Sequence, residues 1–216
     1  MRFETDEGAL EVEISRLIIA GWTGRDEAGV RHHIEELANI GVPAPSAIPL
    51  YYRGAANLLT QDDAVEVLGD ATSGEAEPLI MKTDGALWLG LGSDHTDRGL
   101  EAHSVAHSKQ ICAKPVASAL WRLDGIADLD AVELRAEIHE KGEWIAYQEG
   151  TLAAIRPLAE LIEGAALADG EAMLCGTLSA IGGVRAAARF RMELRDPATG
   201  RAISHEYEAK ALPVIS

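Results

Sequence analysis

The chain is expected to fold as a β-rich α+β domain with few helices, on three observations. Its 21 glycines are spread along all 216 residues instead of gathering in a linker, a spacing that suits many short strands and turns. Apolar residues alternate with polar ones in segments such as 129–139, the pattern of a half-buried sheet. Helical spacing, by contrast, is confined to residues 26–37 and 151–162.

Taken in order, residues 1–22 read as two strands around a turn at Gly8, with alternation through Leu10, Val12 and Ile14. Asp26 can cap a helix carrying Val30, Ile34 and Leu37, which Gly41, Pro43 and Pro45 then stop. Ile48 to Tyr52 and Val65 to Leu68 are short strands. Leu79 to Met81 and Ala86 to Leu91 are strands joined by the turn Lys82-Thr83-Asp84-Gly85. Leu129 to His139 and Trp144 to Tyr147 form a hairpin about Lys141-Gly142-Glu143. Thr151 to Ile162 is spaced as a helix, although Pro157 interrupts it. Ala172 to Cys175, Ala188 to Leu194 and Ser204 to Ala211 close the chain as strands. One compact unit is expected, with residues 1–47 packed on a main domain, 48–216.

Composition narrows the function. The formal charge is -16, from 35 acids against 19 lysines and arginines, and no basic stripe is visible to displace counterions from a nucleic acid. Cys112 and Cys175 lie far apart without zinc spacing and are expected as buried free thiols. The start is acidic and lacks the basic and apolar regions of a signal peptide. The apolar run Leu17 to Trp22 is far shorter than the ~20 residues of a membrane span. A cytoplasmic protein with no nucleic-acid or membrane partner is the expectation. In so negative a chain, Arg53, Arg98 and Lys109 become candidate partners for an anionic substrate.

The densest chemistry lies in Gly90-Leu91-Gly92-Ser93-Asp94-His95-Thr96-Asp97-Arg98, followed by Glu101, His103, His107 and Lys109. A strand that ends in glycine and then in ionisable groups is a common way to deliver residues to a cleft. Upstream, Glu75 and Glu77 are two apart on an extended segment and so share a face. Two carboxylates on one face repel unless a cation lies between them. Asp94 follows a strand, a turn and a return strand that can bring it beside them. Three carboxylates form the hard oxygen set of magnesium, manganese or calcium. The alternative is a solvated acidic turn.

Two further readings stay open. His95-Thr96-Asp97 has the His-x-Asp spacing of an iron facial triad, with His139 or His205 as a distal ligand; hydrogen-bonded loop histidines are the plainer alternative. His103 and His107 would share a face if helical, while His32 and His33 straddle a helix surface. Cys175 has no activating base in sequence, and neither Ser93 nor Ser179 sits in a nucleophile elbow. Asp97 and Arg98 are expected to pair and steady the loop beyond Asp94.

In order, several of these segments resemble the fumarylacetoacetate hydrolase-like superfamily. Glu75-Ala76-Glu77 before Leu79-Ile80-Met81 is similar to its Glu-x-Glu and apolar strand. The segment Gly90 to Arg98 is similar to its strand ending in Asn-Asp, with Asp94 at the third ligand position. Ser108-Lys109 resembles its Gly-Lys-Ser segment, and Lys114-Pro115-Val116 its proline turn. Residues 129–147 follow its hairpin, and Gly170 to Ser179 resembles its Gly-Asp-Val-Ile-x-x-Gly-Thr signature. Pro49-Leu50-Tyr51-Tyr52-Arg53 resembles its aromatic strand, which normally ends in a substrate-facing lysine. The match runs from about residue 48 to 212. Ser93 stands in place of asparagine and Arg53 in place of lysine, and a short turn replaces a helix between the acidic pair and Asp94. These departures suit a divergent bacterial branch catalogued as a domain of unknown function.

The resemblance implies a mixed β-roll of the superfamily's C-terminal domain type, usually a homodimer. It implies magnesium or manganese, with calcium as an alternative, held by Glu75, Glu77 and Asp94. The substrate implied is a small carboxylated molecule, a 2-oxo acid or β-diketone, processed through an enolate by C–C hydrolysis, decarboxylation, hydration or tautomerisation. Lys109 would neutralise negative charge, Arg53 and Tyr52 would bind substrate, and Thr177 would donate a hydrogen bond. His95 is our own candidate for proton transfer, because imidazole titrates near neutrality. The competing expectation is a non-catalytic binding protein that keeps the roll.

Overall fold

The computed structural model describes residues 1–39 and 44–215. It has the expected β-rich architecture. The strands are β1 (Arg2–Thr5), β2 (Gly8–Glu11), β3 (Arg16–Gly21), β4 (Leu50–Gly54), β5 (Ala64–Leu68), β6 (Ala76–Thr83), β7 (Ala86–Ser93), β8 (Trp121–Arg122), β9 (Glu133–Glu140), β10 (Glu143–Thr151), β11 (Glu171–Leu174), β12 (Arg189–Arg195) and β13 (Ala202–Leu212). Short two-residue bridges supplement them. The helices are α1 (Glu27–Asn39), α2 (Arg98–Glu101), α3 (Val105–Gln110) and α4 (Leu158–Ala165).

Two mixed sheets carry the fold. The first has the order β8-β7-β6-β11-β3-β4, in which β11 and β3 run parallel. The second has the order β10-β9-β12-β13-β5, with β13 and β5 parallel. Ile18, Ile80, Leu91 and Met173 of the first sheet meet Leu134, Met192, Leu194 and Ile203 of the second in the main core. The other face of the first sheet buries Leu17, Ile19, Leu79, Met81 and Leu174 against Phe3 and Val12. A strand buried on both faces reads as a continuous apolar run, which explains Leu79-Ile80-Met81 and Leu17 to Ala20.

Local chemistry sets the turns. Asp84 and Gly85, at φ 52° and 75°, and Lys141 and Gly142, at φ 51° and 90°, close the two long hairpins with the positive-φ pairs whose twist matches the strands. Three expectations need correction. The first 22 residues hold three strands; β1 and β2 pair with each other in a separate sheet, whereas β3 lies inside the first sheet between β11 and β4, so this stretch of the N-terminal segment is part of the main sheet. The helix expected over 151–162 begins only after Pro157, which serves as its N-cap. Proline at a helix start loses no bond, whereas the residue before it is pushed out of the helical region. Gly41 and Pro43, expected to stop α1, lie outside the described residues.

No described helix is long and apolar enough to cross a membrane.

Candidate active site

The register of one hairpin assembles the acidic trio. Strands β6 and β7 pair Glu77 with Gly92 and Ala76 with Ser93. One step further, the Asp94 amide donates to the Glu75 carbonyl at 3.0 Å, so Glu75 and Asp94 lie opposite each other. Residues opposite or two apart share a face; hence Glu75, Glu77 and Asp94 project together. The tight Asp84-Gly85 turn suffices, with no intervening helix. Because β6 runs antiparallel to β11, these acids sit at the same end of the sheet as the loops that leave β11 and β3.

Cations reach the cluster from elsewhere. Lys109 of α3 donates to Asp94 Oδ2, and the fully buried Lys114 lies 3.0 Å from Asp94 Oδ1 while donating to the His95 carbonyl. Burial alone would raise the Asp94 carboxyl, but these two ammonium groups outweigh it and hold the carboxyl below its usual range. Burial would likewise lower Lys109, yet Asp94, Glu75 and Glu77 hold it charged and raise its pKa. Lys114 moves the other way, because its deeper burial dominates over Asp94. Arg98 spans Glu75 at 3.1 Å and Glu101 at 2.8 Å and donates to Ser73 Oγ at 2.6 Å.

Glu77 is the acid with the weakest support. Burial pushes its carboxyl well above the usual value, and the neighbouring Asp94 charge adds to this. The Gly176 amide gives it one hydrogen bond of 2.8 Å. Gly176 has φ 95°, and a Cβ there would sit 1.7 Å from Thr23 Oγ1; only glycine makes this turn and this approach. Glu75 is also raised, by burial, with Arg98 and Lys109 opposing.

The donor set fits a hard divalent cation in chemistry: three carboxylates on one face, one of them under-compensated. The ammonium of Lys109 closes this cluster at Asp94. Among the described residues no three His, Cys, Asp or Glu side chains converge tightly enough to hold a metal ion.

Several sequence-based assignments change. His95 is fully buried; Nδ1 bonds the Tyr207 hydroxyl at 3.0 Å and Nε2 bonds Thr72 Oγ1 at 2.9 Å. Burial, with Lys114 and Arg98 nearby, pushes its pKa down to about 3, so it is a neutral structural imidazole unsuited to proton transfer near neutrality. The same two bonds remove it as an iron ligand, and His139 packs edge-on against Trp144. Thr177 donates to the Ala76 carbonyl at 2.8 Å and accepts from Gln148, which makes it a positioning residue for the Gly176 turn. Arg53 lies opposite Ile18 on β4 and is exposed, whereas Tyr52 lies opposite Ile19 on the face of Glu77. Of the two, Tyr52 is the one beside the acids: its ring centroid is 5.9 Å from Lys109 Nζ. Asp97 does not pair with Arg98; it caps α2 by accepting from the Leu100 amide at 2.8 Å. His103 and His107 are exposed; the first lies in the break between α2 and α3 and the second on α3.

Cys112 and Cys175 are free and buried, as expected. Sequence reading missed Lys114, Gln148 and Tyr207, which reach the site from distant segments. A concavity of about 1210 Å³ lies elsewhere, along the charged outer face of the second sheet beside Arg135, Glu137, Arg191 and Glu206. The acids are covered instead by α3, and the half-buried Glu75 and Tyr52 mark their rim.

A family model described as "Protein of unknown function (DUF2848)" matches residues 20–207. No curated protein matches the chain. Among solved structures, 2-keto-3-deoxy-D-arabinonate dehydratase complexed with magnesium and 2,5-dioxopentanoate is similar with a TM-score of 0.65 and 14% identity, over 94% of this chain and 75% of that one. Maleylpyruvate hydrolase from Sphingobium sp. SYK-6 is similar with a TM-score of 0.64 and 13% identity, over 93% and 72%. Cg1458 is similar with a TM-score of 0.63 and 16% identity, over 93% and 78%. At such identity the likeness is one of fold.

Proposed function

The chain belongs to the DUF2848 family of proteins of unknown function, a branch with the fumarylacetoacetate hydrolase-like fold, and from that premise we propose a divalent-metal-dependent enzyme. Its substrate is a small 2-oxo acid or β-diketone carrying a carboxylate, processed through an enolate, with hydrolytic C–C cleavage favoured. The observation that carries this reading is the trio Glu75, Glu77 and Asp94 on one sheet face, the last two buried, with the ammonium of Lys109 against it. The dehydratase and hydrolase of the same fold act on oxo acids by their names, and one is a magnesium complex; this supports the reading without fixing the reaction.

Magnesium or manganese, when bound by the trio, supplies concentrated positive charge to chelating substrate oxygens. The chain's own residues do the rest. Lys109, once released from Asp94, donates a hydrogen bond to the substrate oxygen that gains charge. Lys114 stays on Asp94 Oδ1 and the His95 carbonyl and fixes the loop. Gly176, braced by Thr177 and Gln148, orients Glu77. Burial of the trio excludes water and strengthens these interactions.

The test is a panel of acylpyruvates, oxaloacetate and 2-oxo-enoic acids assayed with magnesium or manganese and again with chelator. Metal-dependent turnover of at least one member is expected. Turnover that survives complete metal removal would refute the mechanism. A non-catalytic binding protein is the second reading, favoured by the ion pair that closes Asp94; a homodimer and a cytoplasmic location belong to either.

A further inference from the structure

The geometry points to Trp22 and Tyr52 as an aromatic wall that selects substrates with a flat, conjugated or aromatic substituent beyond the 2-oxo acid group. This inference rests on the 2-oxo acid reading above. It starts from β3, where Leu17 and Ile19 face one side and Ile18 and Ala20 the other. Tyr52 stands opposite Ile19. Gly21 continues that face, and a Cβ there would come within 2.9 Å of Tyr52 Cε2. Glycine thus lets the ring lie against the strand.

Trp22 breaks the alternation. By period two its indole would follow Ala20 to the opposite face. Instead Trp22 has φ 61°, a left-handed backbone that is costly for a bulky residue. That twist returns the indole to the side of Tyr52, where Nε1–H donates to the Tyr52 hydroxyl at 3.4 Å. Backbone held in such a region persists where its surroundings enforce it, and it clusters at ligand clamps.

Two separate links tie this pair to the acids. On one side, Lys109 Nζ lies 5.9 Å from the Tyr52 ring centroid while bonded to Asp94. On the other, Thr23 packs against Gly176, whose amide holds Glu77. Glu77 and Asp94 are buried, whereas Trp22 and Tyr52 are half-buried. A carboxylate anchored at Lys109 would therefore direct its substituent across two aromatic groups at the rim. Flat π faces favour flat partners over hydroxylated aliphatic chains.

Calorimetric titrations in magnesium with benzoylformate and with pyruvate test this. Benzoylformate is an aromatic 2-oxo acid that cannot enolise and so survives the measurement. Wild-type protein should bind it about 10-fold more tightly than pyruvate. Trp22→Gly, whose backbone suits φ 61° and so protects folding, should abolish that preference with pyruvate affinity unchanged. Trp22→Phe should keep most of it. Equal affinities in the wild type, or equal weakening of both ligands in Trp22→Gly, would overturn the wall while leaving the 2-oxo acid reading intact. Binding of neither ligand to the wild type overturns that reading and the wall with it.

Discussion

Lys109 and Asp94, fifteen residues apart, form a buried ion pair that joins α3 to the end of β7. The lysine sits where the charge of three carboxylates calls for a cation and serves as their counter-ion. A second ammonium, Lys114, pairs with the other oxygen of Asp94.

Lys109→Met should separate these roles. Activity on an identified substrate should collapse. Without metal the melting temperature should fall, because three acids lose a cation. Magnesium should raise the variant's melting temperature more than the wild type's, since binding no longer displaces an ammonium. Equal magnesium shifts in both proteins would show that the lysine and the metal do not compete.

Arg98 and Asp97 are expected to part company in mutagenesis. Arg98→Met leaves the largely buried Glu75 without its partner and should cost about 3 kcal/mol in denaturant unfolding. Asp97→Asn preserves a good helix cap and should be near neutral, while Asp97→Ala should cost about 1 kcal/mol. A large loss in Asp97→Asn would mean that its charge matters beyond the cap.

His95 gives a pH signature. Its folded pKa of about 3 lies below the ordinary 6.5, so on acidification the unfolded chain takes up a proton that the folded chain refuses. The contribution is therefore complete above pH 6.5 and declines as pH falls towards 3. Melting temperatures between pH 6.5 and 5 should fall more steeply in the wild type than in His95→Gln, because the raised Glu75 and Glu77 carboxyls act in both proteins alike. An identical slope in both would show that the imidazole is not the proton-linked group.

Gly176→Ala places a methyl group 1.7 Å from Thr23 Oγ1 at φ 95°. A stability loss of about 2–4 kcal/mol is expected from overpacking and backbone strain. The Trp22 fluorescence environment should shift as Thr23 is pushed aside; an unperturbed, fully stable variant would contradict the close approach.

The readable part of this chain was whatever depends on neighbours in sequence. The two hairpins with positive-φ turns, the acidic face and Asp94 all follow from alternation and turn chemistry within about twenty residues. The fold class followed from the same signals. Arg53 and Tyr52 could not be told apart in sequence, because which of them faces the acids depends on the pairing of β4 with β3. His95 was misread because its partners lie outside its own loop, Thr72 23 residues before it and Tyr207 112 residues after it. Lys114 carried only a local proline turn as its signal, and nothing near it in sequence announces a buried ammonium.

The Asp84-Gly85 turn has a consequence for how the molecule forms. A hairpin closes on a timescale of roughly 1–10 μs, so β6 and β7 can meet early and bring Glu75, Glu77 and Asp94 together at once. Their compensating cations arrive on later segments, with Lys109 and Lys114 beyond the end of β7. Like charges facing each other oppose early closure at neutral pH. The hairpin therefore forms against the repulsion of its own acids, and that repulsion is relieved when Lys109 and Lys114 arrive on Asp94.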